Sequence, residues 1–103
     1  ENIGDNGGLN IAFRALQNEM KKKDLGVKDG FTPEQRFFLA WARVWASNAA
    51  PEYIKYLITV DVHSPNLARV NGALPHIDAW YDAFNIKKSD KMYLPKKKRA
   101  HIW

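Results

Sequence analysis

Apolar residues recur at Leu9, Phe13, Leu16 and Met20, a spacing that sets one stripe along a helix running from near Ile3 into Lys21–Lys23. The three lysines suit a helix C-terminus, where the backbone dipole favours positive charge. Gly7 and Gly8 are costly inside a helix, at about 1 kcal/mol each relative to alanine. Close approach of another backbone to that face is the favoured reason, with a local kink as the alternative. Gly26 to Gly30 reads as a loop, and Thr32, Pro33 and Gln35 then form a capping-box start with proline at the first helical position. Phe37, Phe38, Trp41, Val44 and Trp45 give this second helix a broad aromatic face suited to a core. Pro51 opens a short third helix carrying Tyr53, Tyr56 and Leu57, and Pro65 makes the stretch from Asp61 a loop. After the Asn71-Gly72 turn signal, Ile77, Trp80, Tyr81 and Phe84 mark a fourth helix. Asn85 to Trp103 reads as a basic, irregular tail. No segment alternates with period two and no linker divides the chain, so the fold expected is all-α: about four helices with irregular loops.

The length of 103 residues and a 46% hydrophobic content are enough for a core of single-domain size. No apolar run approaches the roughly 18 residues that would suggest a membrane span, and no signal peptide is evident, so the sequence reads as soluble. The chain opens at Glu1 without a methionine, inside what reads as the first turn of a helix, so a piece of a longer protein is expected. Cysteine is absent, which excludes disulfides and thiolate metal sites within this stretch and leaves His, Asp and Glu as metal donors. The net charge of +5 is concentrated at Lys21–Lys23, Lys87 with Lys88, and Lys96 to Arg99. Such runs are ordinarily solvated surface. A nucleic-acid platform would interleave them with exposed aromatics, whereas the aromatics here fall at core spacing.

Glu1 and Asp5, four residues apart, share one helix face, an arrangement that by itself is usually surface decoration. A lone His63 in a loop is more often structural than catalytic. The motifs they belong to change that weighting. Glu1-Asn2-Ile3-Gly4-Asp5-Asn6-Gly7-Gly8 is an ExxxD pattern, and Asp61-Val62-His63-Ser64-Pro65 is followed by Arg69-Val70-Asn71-Gly72. With Phe31 to Phe38, Arg43-Val44-Trp45 and the closing Ile102-Trp103, the chain resembles neprilysin-type zinc endopeptidases over essentially its whole length. The usual motif has alanine where this chain has Gly4. The absence of cysteine fits a bacterial oligopeptidase of this family better than an animal ectodomain.

The resemblance implies a role for each motif residue. In this family one zinc ion is held by two histidines of a HExxH helix and by the first glutamate of the ExxxD helix, here Glu1. Asp5 corresponds to the aspartate that hydrogen-bonds a zinc-bound histidine and fixes its tautomer. His63 corresponds to the histidine that donates to the oxyanion formed when zinc-activated water attacks the peptide carbonyl, with Asp61 as its partner. Arg69 corresponds to the arginine that binds a substrate carbonyl on the primed side, a task for which its planar fork is better suited than lysine. Gly7 and Gly8 would let the helix pack closely against the HExxH helix.

The sequence contains no HExxH, and neither His76 nor His101 has a histidine partner four residues away. Residues 1–103 are therefore expected to be the C-terminal part of a larger thermolysin-like catalytic domain, lacking the HExxH helix and the N-terminal domain. The resemblance implies a parent that hydrolyses oligopeptides, while this piece alone is inactive and binds zinc weakly or not at all. Its partners would be peptide substrates and the remainder of the catalytic domain, with no nucleic acid and no membrane span. A bacterial parent in the cell envelope or the cytoplasm fits equally. The alternative is a basic helical module that binds an acidic partner or nucleic acid, for which salt-dependent retention on heparin would be the sign.

Overall fold

The computed structural model describes all 103 residues and is all-helical. Five α-helices follow in order: α1 (Asn2–Lys22), α2 (Pro33–Val44), α3 (Pro51–Val60), α4 (Asn66–Asn71) and α5 (Asp78–Phe84). Short 3₁₀ turns lie at Leu74–His76 and Lys96–Lys98. The helix that the pattern did not predict is α4, six residues starting directly after Pro65. The core joins Leu9 and Phe13 of α1, Phe38 of α2, Ile77 before α5, and Trp80 and Tyr81 within it. Phe38 and Ile77 are only 1% exposed. Phe38 stacks on Phe13 at 5.3 Å between ring centroids and meets Phe37 edge-on at 5.1 Å, so the apolar stripes of α1 and α2 close on each other.

The capping box is formed in full. The Gln35 backbone N–H donates to Thr32 Oγ1 at 3.2 Å, and Gln35 Oε1 accepts from the Thr32 N–H at 3.0 Å. The Gln35 amide then donates to the Ala83 carbonyl at 2.9 Å, tying the start of α2 to the end of α5. Arg36 organises the preceding loop by donating to the carbonyls of Leu25, Gly26 and Phe31. The basic tail is anchored, in contrast to its irregular sequence. Arg99 pairs with Asp78 at 2.8 Å and lies 3.5 Å over the Tyr81 ring, while the Tyr81 hydroxyl donates to the Pro75 carbonyl at 2.7 Å. The hydrogen bond from Arg99 holds the Asp78 carboxyl below its usual range. Helix α3 has no buried residue and stands away from this core, carrying the Asp61–Pro65 loop at its end. No helix is long and apolar enough to cross a membrane.

Candidate active site

The four residues singled out from the motifs come together, although more than sixty positions separate the two segments. Glu1 and Asp5 lie at the start of α1, Arg69 on α4, and His63 in the loop between α3 and α4. Arg69 donates through Nε to Asp5 Oδ2 and through Nη2 to Asp5 Oδ1, each at 2.7 Å, and Nη2 also reaches Glu1 Oε2 at 3.2 Å. The Asp5 and Arg69 side chains are only 8% and 11% exposed, so this bidentate pair is shielded, whereas the Glu1 side chain is 55% exposed. Hydrogen bonding to Asp5 is the main reason the guanidinium is held even more firmly protonated than usual. Arg69 is also stacked on one face, its guanidinium carbon lying 4.0 Å from the Trp45 ring centre.

His63 faces the same place. Its Nε2 is 3.8 Å from Glu1 Oε1, and its Nδ1 is 2.7 Å from Asp61 Oδ1. The His63 backbone N–H donates to the same Asp61 oxygen at 2.9 Å. These contacts, the backbone one first, hold the Asp61 carboxyl below its ordinary value, so it stays an anion able to fix the imidazole with a proton on Nδ1. A further strut joins the segments, since the Asn2 amide donates to Ser64 Oγ at 2.9 Å.

Two sequence expectations change. Gly7 is indeed closely approached, but by side chains: a Cβ there would lie 2.1 Å from the Trp103 ring and 3.0 Å from Ile102. Gly8 and Gly4 have nothing within 4 Å of such a Cβ, so the open face of α1 is the one carrying Gly4 and Gly8. Alanine at position 4, the usual motif residue, fits without contact. Arg69 is bonded to both ExxxD carboxylates through Nε and Nη2, and its Nη1 has no partner. Trp45, placed in the core by its helical spacing, serves instead as the platform under Arg69. Its i+4 relation to Trp41, whose Nε1 donates to the Arg69 carbonyl at 3.4 Å, was the available signal.

No group of three or more His, Asp or Glu side chains stands close enough to hold a metal ion. The half-exposed Glu1 carboxylate is chemically suited to be one donor of a shared set, and of the two ExxxD carboxylates it is the accessible one, facing the His63 side of the cluster.

The helical scaffold thus gathers an ExxxD pair, a loop histidine with its aspartate and an arginine in one place. The family model described as Peptidase family M13 matches residues 1–100, and the chain belongs to that family. It is 35% identical over 103 residues to a neutral endopeptidase of Lactococcus lactis and 40% identical over 107 positions to human neprilysin, in each case along all of this chain. It spans only 15% and 14% of their lengths. A crystal structure of a zinc metalloprotease, Zmp1, from Mycobacterium tuberculosis in complex with an inhibitor superposes with a TM-score of 0.93 at 38% identity, over 99% of this chain and 16% of that one.

Proposed function

We propose that residues 1–103 are the C-terminal part of the catalytic domain of a zinc-dependent endopeptidase acting on oligopeptides, and that the chain alone is inactive. The observation that carries this is the meeting of Glu1, Asp5, His63 and Arg69 at one place, with a single guanidinium bridging both motif carboxylates. Glu1 would be one zinc ligand, and the two histidine donors and the general base would come from sequence outside these residues. Zinc, when bound, supplies Lewis-acid activation of water and polarisation of the scissile carbonyl. Asp5 would orient a ligating histidine, since each of its oxygens has acceptor capacity beyond the bond from Arg69. His63, its Nδ1 held by Asp61, would donate from Nε2 to the charge that develops on the carbonyl oxygen. Arg69, fixed by Asp5 and Trp45, would present Nη1 to a substrate carbonyl. The open face of α1 at Gly4 and Gly8 lies on the Glu1 side and gives the helix bearing the histidines room to pack closely.

The role of Asp5 offers a direct test in the full-length protein. Asp5→Asn should keep the fold and weaken zinc binding or activity about 10- to 100-fold, the usual effect of removing a carboxylate that orients a metal-bound histidine. Chelator competition measures the affinity. Wild-type zinc affinity together with wild-type turnover would refute the assignment.

A further inference from the structure

The far side of α1 is occupied by the last four residues of the chain. Asn6, Gly7, Asn10 and Arg14 fall on one helix face, roughly opposite Glu1 and Asp5 at about 100° per residue. Each meets residues 100–103. Arg14 Nη2 donates to the Trp103 carbonyl at 2.7 Å, Asn10 reaches the Ile102 carbonyl at 3.5 Å, and Asn6 reaches the Ala100 carbonyl at 3.4 Å. The Trp103 ring lies so close to Gly7 that no side chain fits between them. The strap is held from the other side too, because the Ala100 N–H donates to His76 Nδ1 at 2.9 Å. The carbonyls of Ala100, Ile102 and Trp103 are thus read by donors spaced one helical turn apart, and the glycine marks where the ring sits. The ring's outer surface remains open, at 73% exposure for the residue, so burial of apolar area is not the main consequence of this contact.

We propose that Ala100–Trp103 is a positioning strap for the metal site: seated on Gly7, it fixes the rotation and depth of α1 and thereby aims Glu1 and Asp5. The role rests on the assignment of those two carboxylates to the zinc site. In the full-length protein, Gly7→Ala and Trp103→Ala should each weaken zinc binding about 10-fold, in the range seen when groups supporting metal ligands are lost. The double variant should be no worse than the weaker-binding single, because both changes break one contact. Asn18→Ala changes an exposed residue of the same helix that makes no side-chain hydrogen bond and lies far from both the strap and Glu1, and should leave zinc affinity within about twofold. Zinc dissociation constants from chelator competition are compared with thermal unfolding of the metal-free proteins, and Glu1→Ala serves as the reference. If Gly7→Ala fails to fold, Trp103→Ala carries the test. Lower melting temperatures with unchanged zinc affinity in Gly7→Ala and Trp103→Ala, while Glu1→Ala loses zinc, would overturn the strap and leave the site assignment standing. Unchanged zinc affinity in Glu1→Ala would overturn both. Strictly additive losses in the double variant would also overturn the strap, since the two residues would then act independently.

Discussion

His63→Ala in the full-length protein should lower kcat by about 10²- to 10³-fold with little change in KM, because the imidazole is assigned to charge that exists only in the transition state. The geometry sharpens the expectation. Nδ1 is committed to Asp61 at 2.7 Å, so only Nε2 can face a substrate, and it lies on the Glu1 side of the site. Zinc content should stay at one equivalent. A variant that loses its metal, or that changes KM alone, would make His63 a structural residue of the loop.

Arg69→Ala should fail differently, raising KM about 10- to 100-fold, the worth of one charge-assisted hydrogen bond to a substrate carbonyl present before and during reaction. The salt bridges add a second effect. Removing one member of a fully buried pair costs about 3–5 kcal/mol, and somewhat less is expected here because Arg69 remains 11% exposed. The melting temperature should therefore fall, with Asp5 left nearly buried and unpaired. Arg69→Lys should recover part of the stability by restoring charge, yet little of the KM, since an ammonium cannot bond both Asp5 oxygens and donate outward in one plane. Unchanged KM in Arg69→Ala alongside a lowered melting temperature would reduce Arg69 to a brace for Asp5.

Much of the scaffold was legible because its signals are local. The Thr32, Pro33 and Gln35 start is a matter of adjacent residues, and both of its hydrogen bonds form. The Leu9, Phe13 stripe needed only helical spacing. Helix α4 was not legible, since six residues give no apolar period and Pro65 argued for a loop. The order of the tail also escaped the pattern, because it depends on Arg99 reaching Asp78 and Tyr81 rather than on its neighbours. At the site, the motifs named Glu1, Asp5, His63 and Arg69 through family resemblance; their chemistry alone would have left Glu1 and Asp5 as surface acids. The 64-residue link between Asp5 and Arg69 has no periodic trace in a sequence. The same is true of Trp103 on Gly7: the glycine announced a close approach, but nothing local could say what approached.

Zinc titration of the full-length protein and its Glu1→Ala variant, followed by calorimetry, tests most directly whether this chain supplies a ligand to a shared metal site. The wild type should bind one zinc per chain tightly, Glu1→Ala should lose that site while keeping its helical content, and residues 1–103 alone should show no site of micromolar or tighter affinity. A full equivalent bound by Glu1→Ala with wild-type affinity would contradict the assignment, as would a tight stoichiometric site on residues 1–103 alone.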